Sequence, residues 1–159
     1  MNPTILRRIE HMMLEPETVP VYNRGMFPED TNCFSTAMYA LGLTEKMVPA
    51  EGSIDILSLL IDGSKSHSIK ELKESDLVIW EGPAPFYLTR FGPVVYTHAA
   101  VYLGDNVVFH QDGEDGPVTK AKLHIVNRPY SKPARAHASE DLERLESGIY
   151  RHLLAASAA

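Results

Sequence analysis

The apolar residues of this chain change their period part-way along, and that change limits the available folds more than any other feature. Up to Ile61 they recur at helical spacing. From Asp76 they alternate or run in short blocks of strand length. Helices first and strands afterwards predict an α+β domain, with N-terminal helices packed on a small antiparallel sheet and a helix at the C-terminal end. The 159 residues suit a single domain, 1–159, built on one core.

Local signals place the elements. Asn2 caps a first helix with Pro3 at its first position, and Ile5, Leu6, Ile9, Met12 and Met13 form its apolar face. Pro16 and Pro20 end that stretch, and Val21 to Asp30 reads as loop. Asp30 or Thr31 caps a second helix carrying Phe34, Ala37, Met38 and Leu41, which Gly42 stops. Ser53 opens a third, Ile54 to Ile61, apolar on nearly every side and therefore buried. Asp76 to Trp80 and Leu123 to Val126 read as strands. Tyr96 to Leu103 and Val107 to Gln111 read as a hairpin around Gly104, Asp105 and Asn106. Glu81 to Val95, with three prolines and two glycines, reads as an irregular loop, more mobile than the strands; with Trp80, its Phe86, Tyr87 and Phe91 border a cleft or form a core flap. Ser139 caps a last helix with Leu142, Leu145, Ile149 and Leu153 on one face.

Composition excludes several functions. A formal charge of -6 with no basic stripe argues against nucleic acid. Lys120, Lys122, Arg128, Lys132 and Arg135 are spread among apolar residues and prolines as a solvated face. One cysteine allows no intramolecular disulfide and no thiolate-based zinc site. His11, His67, His124, His137 and His152 share no metal-ligand spacing, and the acidic turn around Asp112, Glu114 and Asp115 lacks the spacing of a calcium loop. No metal or cofactor is therefore expected. No run spans a bilayer, and the start of the chain lacks the apolar core of a signal peptide. The expectation is a protein that is cytoplasmic or exported without a cleaved signal.

Three residues carry the chemistry. Cys33 falls in the first turn of the second helix, where unpaired N–H groups and the helix dipole favour a thiolate nucleophile. A small buried core cysteine fits that position as well. His98 begins the strand THAAVYLG and can serve as a base, or as a hydrogen-bonded histidine at the core edge. His110, in VVFHQ, is by itself a half-buried strand histidine. A three-residue hairpin loop pairs Leu103 with Val107 and Ala100 with His110. His98 and His110 are then diagonal neighbours on one face, roughly 7–8 Å apart between backbones and within reach of two imidazoles. His110 would then orient His98. A two-residue loop would set the histidines on opposite faces.

Here the chain resembles the NlpC/P60 cysteine peptidases, which have a papain-like fold. The resemblance runs from about Tyr22 to Asp112. It rests on VYNRGMFPEDTNCFS before and around the nucleophile, DLVIW as the strand after the helices, THAAVYLGDN as the histidine strand and turn, and VVFHQ as the second-histidine strand, in the family's order. It implies Cys33 as nucleophile, His98 as base, His110 as orienting residue and Tyr22 as a loop residue near the oxyanion site. Asn32 and Phe34 flank the nucleophile and are read with Tyr22 as oxyanion and substrate-binding positions. They depart from the family's usual acidic residue before the cysteine and serine–glycine after it. No carboxylate beside Cys33 grips a substrate amine, and Phe34 narrows or redirects the pocket.

The expected function is hydrolysis of a peptide or isopeptide amide, a cell-wall peptide among the candidates, through an acyl-cysteine intermediate. The same Cys–His–His machinery also serves acyl transfer, deamidation or thioester cleavage. A non-catalytic binding module of the same fold is the third reading. The oligomeric state is not written in the sequence.

Overall fold

The computed structural model describes residues 1–24, 27–28, 30–82, 87–89, 92–94, 96–113, 116–130 and 132–143. In chain order these form α1 (Pro3–Leu14), β1 (Asn23–Arg24), β2 (Phe27–Pro28), α2 (Cys33–Ala40), α3 (Ala50–Asp62), β3 (Ser66–Ser68), β4 (Leu77–Glu81), β5 (Tyr87–Thr89), β6 (Gly92–Val94), β7 (Tyr96–Gly104), β8 (Val107–Gln111), β9 (Val118–Lys122), α4 (Leu123–Asn127) and β10 (Arg135–His137). A six-stranded sheet in the order β3-β10-β4-β7-β8-β9 is antiparallel at every pairing. The α+β class expected from the pattern is the one observed.

Both faces of the sheet are covered. Alternation along β4 sends Leu77 and Ile79 into one apolar cluster with α1, α2 and α3, and Val78 and Trp80 into another with Leu123, Val126 and Ala134. This explains why DLVIW is an unbroken apolar run: β4 is buried on both sides. All eight residues of α2 are buried too. The helix ends as Gly42 predicts. Gly42 has φ +77°, its N–H donates to Tyr39 O (3.0 Å), and Leu43 N–H donates to Met38 O (3.0 Å), which together make a Schellman motif. The Arg8 guanidinium of α1 donates to the carbonyls of Tyr39 and Thr44 and stacks 4.4 Å over the Tyr39 ring, tying α1 to that end.

Several expectations are corrected. Asn32, not Asp30 or Thr31, caps α2. Helix α3 begins at Ala50, because the Ser53 hydroxyl turns to Ala50 O (2.8 Å) and Asn32 Oδ1 (3.1 Å) instead of capping. Leu123 to Val126 is helical. Leu123 and Val126 bury at a three-residue spacing while His124 and Ile125 face out, a pattern that fits one helical turn and not a strand. The strand lies just before it, as β9, on the sheet edge with Lys120 and Lys122 exposed. Within the expected loops, β1 pairs with β2 and β5 with β6, so prolines there did not prevent short ladders. Pro85, Phe86, Phe91 and the other undescribed residues of 81–95 lie outside the described residues, as does the chain beyond 143. Residues 139–143 are helical, with Leu142 fully buried.

The β7–β8 hairpin reaches the expected register by another route. Its turn has two residues, Asp105 and Asn106, both at positive φ (50° and 63°), with Gly104 paired to Val107. A bulge between Tyr102 and Gly104 absorbs Leu103, and Tyr102 pairs with Val108 and Val101 with Phe109. The extra residue cancels the face reversal that a two-residue turn alone would impose, and the two histidines share a face. The ladder then stops. No β7–β8 pair follows Val101–Phe109, although β7 extends back to Tyr96 and β8 on to Gln111. The two strands fork there.

A second histidine makes the fold acid-sensitive. Ser64 Oγ donates to Ile61 O (3.1 Å) and accepts from His137 Nδ1 (2.6 Å), joining the end of α3 to β10. Burial pushes the His137 imidazole down to about 4, and His67 and Arg135 push the same way against Asp76 and Asp141. A base depressed in the folded state lets the unfolded chain bind the extra proton. The stability it contributes is therefore complete above about pH 6.5 and is lost as pH falls through about 4. His137→Asn keeps a donor for Ser64 without the titration. In urea titrations, wild type should lose about 2–3 kcal/mol more than this variant between pH 7 and pH 4. Parallel pH dependences would contradict the assignment.

Candidate active site

Four interactions build the nucleophile's surroundings. Asn32 Oδ1 accepts from Phe34 N–H (3.0 Å) and Ser35 N–H (3.0 Å), while Ser35 Oγ accepts from Asn32 N–H (2.9 Å), a reciprocal capping box. Thr36 N–H donates to Asn32 O (3.0 Å) and begins the helical ladder. Of the first-turn amides, this leaves that of Cys33 directed at its own thiol. Asn32 is held further by Ser53, whose hydroxyl accepts from Asn32 Nδ2 (3.0 Å). Its side chain is thus committed to the cap.

Cys33 and the histidines come from different layers. Cys33 packs with the helical core, whereas His98 and His110 stand on the sheet face that carries Trp80 and Ala100. They meet at the fork in β7–β8, in a cleft of about 520 Å³ whose walls include Asn32, Cys33, Phe34, His98 and His110. The histidine pair is closed, with His98 Nε2 2.7 Å from His110 Nδ1 and the rings edge to face at 4.9 Å. If His98 Nε2–H donates, His98 Nδ1 remains as the ring's proton acceptor. The described hydrogen bonds include none between Cys33 and His98. The thiol is instead met by backbone hydrogen bonds from Ala99, Phe34 and Cys33.

An aromatic box holds His98. Tyr130 stacks on it at 5.9 Å and 13°, and Trp80 lies 5.3 Å away at 44°. Trp80 is fully buried, with its indole N–H donating to Asn127 Oδ1 (2.7 Å). The sequence offers Trp80 as a cleft wall or core flap and gives no signal for Tyr130, which lies in an irregular stretch after α4. Tyr22 sits apart from this cleft's lining: its N–H donates to Met47 O (2.9 Å) and the Lys46 ammonium lies 5.6 Å from its ring. Among the described residues no group of three or more His, Cys, Asp or Glu is placed to hold a metal, and no helix is long and apolar enough to cross a membrane.

The charge state differs from the sequence expectation. Burial pushes the Cys33 thiol up to about 11, against the backbone hydrogen bonds at Ala99, Phe34 and Cys33. Burial, with His110 pushing the same way, takes His98 down to about 3. His110 is also lowered by burial, partly offset by the Asp112 carboxylate. Desolvation favours the neutral thiol and the neutral imidazoles over their charged forms.

No known family profile and no curated protein matches the chain. Several solved structures are similar to it, two of them peptidoglycan hydrolases. One is the NlpC/p60 domain of the peptidoglycan hydrolase SagA, at 17% identity over 87% of this chain and 99% of that one, with a TM-score of 0.48. The other is the peptidoglycan hydrolase RipB from Mycobacterium tuberculosis, at 19% identity over 83% of this chain and 61% of that one, with a TM-score of 0.46. At these values neither likeness bears on the reaction or its residues.

Cys33 is the sole thiol, so its alkylation reads the site directly. Iodoacetamide labelling should rise steadily with pH and at pH 7 run about 10⁴-fold below its alkaline limit, following the thiolate fraction. A fast plateau between pH 5 and 7 would mean that a thiolate–imidazolium pair exists at rest.

Proposed function

We propose that this chain is a cysteine hydrolase that cleaves a peptide or isopeptide amide through an acyl-cysteine intermediate. The observation that carries the reading is the 2.7 Å His98–His110 bond on the same cleft as a cysteine in the first turn of a helix. With His98 Nε2–H as the donor in that bond its Nδ1 is left to act as the base, and the first-turn amide of Cys33 has no helical carbonyl to bond.

The steps follow from the neutral resting state. His98 takes the thiol proton as Cys33 sulfur attacks the carbonyl carbon, and His110 offsets the charge that builds on His98. The oxyanion is met by the Cys33 N–H. Collapse expels the amine, which takes the proton from His98. Water, deprotonated by His98, then attacks the thioester carbonyl; collapse releases the acid, and the Cys33 thiolate takes back the proton from His98. With another acceptor in place of water the same site performs acyl transfer, and with a carboxamide or thioester substrate it performs deamidation or thioester cleavage. The substrate is peptide-like, and a cell-wall peptide is the instance to which the sequence resemblance points. The buried, high-pKa thiol favours a second reading, a binding module without turnover.

Single-turnover acylation by an activated ester, followed by the mass shift on Cys33, separates the readings without knowledge of the natural substrate. Wild type should acylate and Cys33→Ala should not. His110→Ala should retain activity at a rate about 10–100-fold lower, a share of what general-base assistance provides. An inert wild-type thiol would leave the binding module standing. Equal rates with and without His110 would remove it from the mechanism.

A further inference from the structure

Beyond Val101–Phe109 the next rung of the β7–β8 ladder would join Ala99 to Gln111, and it is not made. Both positions are engaged by α2 instead. The Ala99 backbone hydrogen-bonds the Cys33 thiol, and the Gln111 side chain holds the residues on either side of Cys33. Gln111 Oε1 accepts from Thr36 Oγ1 (2.7 Å) and, at 3.4 Å, from Thr31 Oγ1, while Gln111 Nε2 donates to Thr31 O (3.1 Å). Gln111 is 3% exposed and Thr36 is fully buried.

Thr31 and Thr36 occupy the position before the α2 cap and the fourth helical position. In many helices an apolar pair fixes the entry angle of the chain from these two sites. Here a buried amide on another strand does so with three hydrogen bonds, in surroundings where such bonds are strong and their loss is expensive. That amide belongs to the residue adjoining His110. The bracket therefore links the helix that carries the nucleophile to the strand that carries the orienting histidine.

We propose that Gln111 is a positioning residue: its side-chain amide seats the first turn of α2 in the β7–β8 fork and sets the approach of Cys33 to His98. The proposal rests on the cysteine-hydrolase reading. It follows that loss of the amide slows the step in which His98 takes the thiol proton, without altering how substrate is bound. A misplacement of about 1 Å costs up to about 100-fold in such a step.

The test uses single-turnover acylation by a p-nitrophenyl ester. Gln111→Met removes the amide at similar length, Thr36→Val removes the hydroxyl at similar shape, and Thr36→Ser restores it. Gln111→Met and Thr36→Val should acylate about 10–100-fold more slowly, with half-saturating ester concentration unchanged. Thr36→Ser should match wild type. In a His98→Ala background Gln111→Met should cause no additional loss, because the alignment it provides has no base to serve. A wild-type rate for Gln111→Met, or an equal loss with and without His98, overturns the proposal, the latter by showing general loosening of the fold. If Gln111→Met does not fold, the Thr36→Val and Thr36→Ser pair decides in the same way. If wild type itself is not acylated, the hydrolase reading falls and this proposal falls with it. A reactive wild type with indifferent variants removes the proposal alone.

Discussion

The site depends on where the β7–β8 ladder stops. A ladder carried on to Ala99 and Gln111 would close the sheet between Cys33, which belongs to the helical core, and the histidines, which stand on the other face. Because the strands part after Val101–Phe109, the first turn of α2 finds bonding partners between them, and side chains from two layers share one cleft. The Leu103 bulge matters for the same reason. It shifts the register by one residue above the fork, and every side chain of β7 below it faces as it does because of that shift.

Burial at the fork has opposite effects on geometry and on charge. Enclosure by Trp80 and Tyr130 fixes the plane of His98 and keeps its bond to His110 short. The same enclosure withholds water from both the thiol and the imidazole, so each group is held in its neutral form. In the proposed reaction the ion pair forms only when an incoming carbonyl offers a place for the negative charge. A dry, pre-ordered site loses resting reactivity and gains in the strength of each hydrogen bond made to the developing charge.

Local chemistry was legible in the sequence where it acted alone. The Asn2 cap, the Gly42 stop and the DLVIW strand each follow from a few neighbouring residues, and each is observed. The histidine register was also readable, although the turn has two residues and the bulge supplies the third. The outer strands β3, β10 and β9 were not readable. They are short and largely polar or basic, and only the pairing of β10 with β4, of β3 with β10 and of β9 with β8 makes strands of them. At the site, Cys33, His98 and His110 stood out by residue type and order. Asn32 was singled out, but its role as a cap required knowing where α2 starts. Tyr130 and Gln111 carry no signature, because their partners are distant in sequence. The desolvation of Cys33 was not legible for a related reason: helix position is local, whereas desolvation is a property of the packed whole.

Trp80 is the chain's one tryptophan, and it lies 5.3 Å from the ring of His98. Indole emission is quenched by a nearby imidazolium and much less by neutral imidazole, and it shifts in colour with the polarity around the ring. Light excited at the red edge of protein absorption therefore reports from a single place, the buried indole that packs against His98. The fluorescence of the unlabelled protein is thus an optical gauge of the protonation of His98.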